Sequence, residues 1–243
     1  MTSRDKTRLL SLDDSTPARP LAEKLFTVAW GTIQWPWLLR SLWGGPLADK
    51  QALLDHLDLP RDALPHLGSW KADTAFLWRI VKAIETLRPR NVVELGCGAS
   101  TLIAARALQR SGGGHLTSYD QHAGFVEATA EWLRGHGLDA TLAWAPIVED
   151  RSSWSHCWYD VHAAPASIDL LVIDGPPWAL NPFIRGRAEV LFDRVVPGGI
   201  VLLDDAARPG ERVVASRWRR EWPGFRFTLL PGPKGTLLGE RLR

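Results

Sequence analysis

The sequence predicts an α/β fold built on a mostly parallel sheet, and three observations carry that expectation. Short runs of Val, Ile and Leu alternate with helical patterns after Pro89: VVEL at 92–95, LTSY at 116–119, ATLAW at 140–144, LLVI at 170–173 and IVLL at 200–203. Strands that alternate with helices pair in parallel through right-handed crossovers. A glycine turn joins the first strand to a helix that starts near Ala99, within VVELGCGAST at 92–101. FRFTLL at 225–230 and GTLLGE at 235–240, separated by PGPK, read as a closing antiparallel hairpin.

The 243 residues are enough for one sizeable core with an appendage. A 45% hydrophobic and 23% charged composition excludes a disordered, collagen-like or multi-span membrane protein. Lys and Arg number 29 against 27 Asp and Glu, a net charge of +2 that offers no basic field for nucleic acid. Two cysteines, Cys97 and Cys157, make neither a disulfide framework nor a paired zinc-ligand spacing. The first twenty residues mix charges of both signs and hold no apolar run of the kind a secretory leader needs. A cytoplasmic protein is the expectation.

In chain order, residues 1–20 are polar and without period, which predicts a loosely held tail. Leu21, Leu25, Val28, Ala29 and Thr32 recur at three- and four-residue spacing, the mark of a helix that Pro36 should end or kink. Over 25–43, Trp30, Trp35, Trp37 and Trp43 surround aliphatics, as in segments at a membrane interface. Gly31, Gln34, Pro36 and Arg40 interrupt that run, so a core or lid helix is favoured over peripheral membrane contact. Short helices follow around 48–56 and 61–66, and Phe76, Leu77, Ile80, Val81, Ile84 and Leu87 form a stripe between a cap at Asp73 and the breaker Pro89. The division drawn from this pattern is a tail and helical appendage over 1–69, covering the substrate cleft, and a second domain over 70–243. Residues 149–167 show no period and suit a substrate loop, and most of the thirteen tryptophans should be core.

Gly96 and Gly98 allow close ligand approach, and the following helix start offers free N–H groups. Asp120 ends the next strand, where an acidic side chain accepts from ribose hydroxyls. Thr101 stands where a dinucleotide fingerprint has its third glycine, which disfavours NAD, and no GxxxxGK run exists for a phosphate loop. Glu94, two residues before the first glycine, suits a positively charged ligand and would be awkward beside a pyrophosphate. S-adenosylmethionine is such a ligand.

At these residues the sequence resembles the class I S-adenosylmethionine-dependent methyltransferases. VVELGCGAST is similar to their first motif, SYDQ at 118–121 to the ribose-binding strand end, and IDLLVIDGPPW at 168–178 to the fourth strand. LFDRVVPGGIVLLDDAARPGE at 191–211 resembles bacterial members that carry DGPP followed by DDAxRxGE, and the likeness spans roughly residues 70–240. The resemblance implies a Rossmann-like sandwich with a seven-stranded, mostly parallel sheet and an antiparallel C-terminal hairpin. It also implies cofactor contacts from Glu94, Gly96, Gly98, Ser100 and Thr101 at the amino-acid end, Asp120 at the ribose, and Gln121, Ala145 and Pro146 around the adenosine, with Asp174 at the cofactor's edge.

Asp174, Asp204 and Asp205 end the fourth and fifth strands, and three carboxylates in one place need a proton, an arginine or a cation. Hard oxygen donors favour Mg²⁺. The triplet resembles the metal site of catechol-type and macrolide-sugar O-methyltransferases, which implies Mg-assisted methyl transfer to an oxygen of a small molecule or sugar. Asp174 and Asp204 would then be catalytic, and Trp178, Arg185 and Arg208 would contact substrate. Arg185, Arg187, Arg208 or Arg212 could instead neutralise the carboxylates, and Pro177 replaces the His of the metal-dependent DGxH pattern. Metal-independent N- or O-methylation with an Asp, or with His122, His156 or His162, as base is the alternative, followed by a non-catalytic binding module. Gly175 separates Asp174 from the prolines and spoils the Asn/Asp-Pro-Pro-aromatic signature of base N-methylation, so no nucleic acid is expected.

Overall fold

The computed structural model describes residues 19–161 and 163–242. His162 and nearly all of the expected tail lie outside the described residues. Three helices, α1 (Leu21–Ser41), α2 (Leu47–His56) and α3 (Thr74–Leu87), precede β1 (Asn91–Leu95), α4 (Ala99–Arg110), β2 (His115–Asp120), α5 (Ala123–Gly135) and β3 (Thr141–Trp144). Then come β4 (Ile147–Glu149), β5 (Cys157–Tyr159), β6 (Ile168–Ile173), a 3₁₀ segment over Ile184–Arg194, β7 (Val195–Leu203), α6 (Pro209–Glu221), β8 (Phe225–Leu230) and β9 (Thr236–Arg241).

Seven strands form one sheet in the order β3-β2-β1-β6-β7-β9-β8. The first five pair in parallel, and β9 runs antiparallel to both β7 and β8. This is the α/β architecture with a closing hairpin that the sequence predicts. Alternation along the strands divides the core between the two faces. Val92, Leu170, Val172 and Leu202 face α3 and α4, whereas Val93, Leu95, Leu171, Ile173 and Leu203 face the side carrying the 3₁₀ segment and α6. The crossing of the chain from β1 to opposite sides of the sheet opens a crevice beyond the carboxyl ends of β1, β2 and β6, where open α/β sheets bind ligands.

The expectation for α3 holds in detail. Asp73 Oδ1 accepts from Phe76 N–H at 2.8 Å, the stripe from Phe76 to Ile84 is buried, and Arg88 turns left-handed before Pro89. Leu53 and Leu54 on α2 and Leu57, Leu64 and Leu67 after it join the same apolar cluster as α3. A boundary at 69/70 therefore runs through residues that share one core.

Three expectations give way. Helix α1 continues through Pro36, whose missing N–H leaves the Thr32 carbonyl without its helical donor on the exposed side, where water can meet it. Its expected stripe also faces outward: Leu21, Leu25 and Val28 are 72, 61 and 68% exposed, while Glu23, Thr27, Gln34 and Ser41 are buried. Polar anchors explain the orientation, since Asn181 Nδ2 donates to Glu23 Oε1 at 2.8 Å and Arg19 donates to the carbonyls of Ala179 and Leu180. Among the tryptophans Trp154, Trp158 and Trp218 are buried, but Trp35, Trp43, Trp70 and Trp144 are exposed, so burial is not their general fate. Finally, part of 149–167 is ordered into an antiparallel pair, Ile147↔Tyr159 through Glu149↔Cys157. No helix among the described residues is long and apolar enough to cross a membrane.

Candidate functional site

The site begins at the turn between β1 and α4. Gly96 has φ of 97°, and a Cβ there would lie 2.8 Å from Gly175 N, so only glycine lets the turn pass beside the end of β6. Gly98 has φ of 152°, and a Cβ there would meet nothing within 4 Å, so the turn opens onto space on that side. Beneath it lies Glu94, fully buried. Its Oε2 accepts from Thr101 Oγ1 and Ser118 Oγ, each at 2.6 Å, and Thr101 Oγ1 in turn accepts from Gly98 N–H at 2.8 Å. Its Oε1 has no partner. Burial pushes the Glu94 carboxyl up to about 7, against the hydroxyl bonds from Ser118, Thr101 and Ser100 that favour its charge.

Asp120 closes the same turn from β2. Its Oδ2 accepts from Cys97 N–H at 3.1 Å and its Oδ1 from His122 N–H at 2.8 Å. Burial raises this carboxyl and the two backbone donors work in the opposite direction. Gln121 follows, its Oε1 accepting from Tyr159 O–H at 2.8 Å and its carbonyl from Trp144 Nε1 at 2.9 Å. Ala145 is buried at the end of β3, its N–H donating to Asp120 O at 2.9 Å, and Pro146 O accepts from Asp160 N–H at 3.0 Å. The residues expected around a nucleoside therefore do gather at one crevice. Trp144 and Tyr159 join them, the first as a half-exposed ring held on Gln121 and the second through β5. A charged ligand with a ribose fits what is present: an unpartnered buried carboxylate oxygen, an acidic strand end and a glycine open to space. The Cys97 thiol is pushed up by burial, with the Asp120 charge adding to the shift, which disfavours its thiolate.

Beside this turn, at the ends of β6 and β7, Asp174, Asp204 and Asp205 bring ligand-type oxygens within 4.8 Å of one another. Basic side chains lie in the same place. Arg185 Nη1 lies 3.1 Å from Asp205 Oδ2, Arg185 Nη2 lies 3.6 Å from Asp174 Oδ1, and Arg208 Nη2 lies 2.6 Å from Asp205 Oδ2. Lys234 Nζ, from the turn between β8 and β9, lies 3.8 Å from Asp204 Oδ2 and 3.7 Å from Asp205 Oδ1. Glu211 extends the network 4.0 Å from Arg185 and 3.7 Å from Arg208. Burial alone would raise Asp205, but Arg208, Lys234 and Arg185 hold it well below the usual carboxylate range. Asp204 is driven well above that range by burial and by Asp205, and Asp174 is pushed up to about 6 by burial, with Arg185 and Lys234 opposing.

The donor set contains the three oxygens a hard cation would want, and both Asp204 oxygens and Asp205 Oδ1 accept no hydrogen bond, yet basic side chains stand among them. Arg185 lies between Asp174 and Asp205, Lys234 between Asp204 and Asp205, and the Asp204 and Asp205 side chains are 0 and 3% exposed. Mg²⁺ keeps several waters and demands near-octahedral room, which these fixed cations and this burial deny. The triplet does not fit it. Arg185 and Arg208 are themselves only 5% exposed and engaged by these carboxylates, so neither presents a free guanidinium to a cleft. Arg187 pairs elsewhere, with Asp150 at 2.6 Å. Trp178 lies under α1, 3.4 Å from where a Cβ on Gly31 would stand. Lys234 was hidden in a hairpin turn, a position normally read as solvated; its single cue is a lone cation beside two prolines.

A family model described as a methyltransferase domain matches residues 93–206. Among curated proteins none is similar in sequence. Solved structures share the fold. A methyltransferase from Geobacter sulfurreducens is 20% identical with a TM-score of 0.54, the match covering 82% of this chain and 90% of that one. The S-adenosylhomocysteine-bound methyltransferase of Podospora anserina is 14% identical with a TM-score of 0.56, over 93% and 99% of the two chains. An O-methyltransferase from Bacillus cereus, in complex with S-adenosylhomocysteine, is 15% identical with a TM-score of 0.55, over 88% and 99%.

Proposed function

We propose that this chain, which carries a methyltransferase domain on the class I S-adenosylmethionine-dependent fold, methylates an oxygen of a small molecule or sugar, with Asp174 as base and no divalent cation. The observation that carries the reading is Glu94, a buried carboxylate with one unpartnered oxygen beneath a glycine turn that opens onto space. Such a site stabilises a positively charged ligand and repels a pyrophosphate.

Glu94 Oε1 would accept from the cofactor's ammonium group, with Gly96, Gly98, Ser100 and Thr101 forming the turn around it. Asp120 has acceptor capacity left for ribose hydroxyls beyond its two backbone donors, and Gln121, Ala145 and Pro146 border the base. When bound, S-adenosylmethionine supplies an electrophilic methyl group on a sulfonium. Asp174 adjoins that position, since Gly175 N lies against Gly96. Its carboxyl, pushed up to about 6, is largely ionised at neutral pH and basic enough to take a hydroxyl proton. Gly96, Gly98 and Glu94 would hold the cofactor so that its methyl group faces the acceptor oxygen beside Asp174. The acceptor's hydroxyl proton would pass to Asp174. Trp178 and the buried side of α1 would exclude water from the acceptor's place, whereas Arg185 and Arg208 position the ends of β6 and β7 rather than touch substrate.

Calorimetric titration with S-adenosylhomocysteine tests the cofactor assignment. One site is expected for the unaltered chain and weaker binding for Asp120→Asn; absence of heat from folded protein would remove it.

A further inference from the structure

We propose that the outward face of α1 is a membrane-binding surface that lies in the plane of an anionic bilayer, its apolar side chains at the headgroup boundary and its polar stripe against the protein. A helix on the surface of a globular protein normally buries its apolar stripe and exposes its charges. Helix α1 does the reverse. Leu21, Leu25, Val28, Trp35 and Leu39 are 56–72% exposed, while Glu23 is buried against Asn181 and Ser41 lies beside Arg208. At about 100° per residue the exposed positions sweep roughly half the helix circumference. The patch continues beyond the helix. Trp43 and Leu47 are 54 and 68% exposed, and Trp70 flanks them because Ser69 N–H donates to Ser41 O at 2.6 Å. An exposed apolar face of this size marks an interaction site.

Charge selects the occupant. Among the described residues of α1, Lys24 and Arg40, both exposed, are the charged ones on the outward face, and they flank the apolar arc on opposite sides. A second copy of the chain would be a poor partner. Antiparallel pairing of α1 about Thr32, one residue past its middle, sets Lys24 opposite Arg40 of the other copy, and parallel pairing in register sets each opposite itself. Both arrangements oppose like charges. An anionic lipid surface answers those two cations and accepts the whole width of the apolar arc, including the tryptophans that favour headgroup depth. At 21 residues and about 1.5 Å per residue, α1 would lie along the surface for roughly 30 Å. Its polar stripe is fastened to the loop after β6 through Asn181.

Full-length protein is sedimented with vesicles of phosphatidylcholine alone and of phosphatidylcholine with phosphatidylglycerol, and its oligomeric state is measured by sedimentation velocity. Binding to the anionic vesicles is expected, with Lys24→Glu and Arg40→Glu each weakening it about fivefold. Val28→Ser with Leu39→Ser should weaken it about tenfold or more. These positions are exposed, so the variants retain the fold and their S-adenosylhomocysteine binding. Equal binding to both vesicles would overturn the anionic assignment. No binding, with a dimer that Val28→Ser and Leu39→Ser dissociate, would overturn the membrane in favour of a second copy. No binding by a monomer would overturn the surface altogether.

Discussion

Two groups of buried carboxylates stand side by side at the carboxyl edge of the sheet, and they are satisfied in opposite ways. Under the glycine turn, Glu94 meets only hydroxyls and keeps one oxygen without a partner. At the ends of β6 and β7, Asp174, Asp204 and Asp205 meet Arg185, Arg208 and Lys234 from three different segments of chain. The first arrangement holds no cation of its own, whereas the second brings three, although both Asp204 oxygens and Asp205 Oδ1 accept no hydrogen bond and Lys234 reaches only Asp204 Oδ2 and Asp205 Oδ1, at 3.8 and 3.7 Å. A triplet of aspartates is therefore not a metal site by virtue of its spacing; what decides is which cations the rest of the fold delivers to it.

Removing a built-in cation should have the largest effect. Arg185→Ala leaves Asp174 and Asp205 buried without their shared partner and removes donors to the carbonyls of Pro176 and Asp204, so unfolding in urea should show a loss of about 3–5 kcal/mol. A loss under about 1 kcal/mol would mean that the cluster is not held by Arg185. On the other side of the comparison, Asp120→Asn should weaken S-adenosylhomocysteine binding about tenfold or more by calorimetry, because a charge-assisted acceptor is lost with little change in shape.

The pH dependence of turnover follows next in size. Burial pushes the Asp174 carboxyl up to about 6, and with its ionised form as the proposed base turnover should fall about tenfold for each pH unit below that value and level off above it. Asp174→Asn should abolish the slope along with most of the rate. Stability should run the other way for this group: its raised carboxyl contributes stability that is fully present below the ordinary 3.8 and lost as pH rises through about 6. The smallest expected effect is that of a chelator, which should leave turnover unchanged.

Much of this was legible in the chain. Alternating runs located the sheet strands, and Asp73, Phe76 and Pro89 bounded α3, because caps, stripes and breakers are local signals. The glycine turn and Asp120 were legible for the same reason, each being a strand end with a distinctive residue. Lys234 was not, since its role depends on a hairpin that folds back over the ends of β6 and β7. Nor was the orientation of α1. Period shows that Leu21, Leu25 and Val28 share a face, but it cannot say which face meets the protein, and there the decision fell to Glu23, Asn181 and Arg19. The pairing of β4 with β5 escaped because three-residue strands carry too little pattern to stand out from a loop.

The most direct test of the contrast between the two carboxylate groups is a pair of calorimetric titrations on one folded sample, S-adenosylhomocysteine first and Mg²⁺ second. Saturable heat at one site for the first and none for the second is predicted. Saturable Mg²⁺ binding that Asp204→Asn removes would contradict it, and would mean that the cations of Arg185 and Lys234 yield their places to a metal.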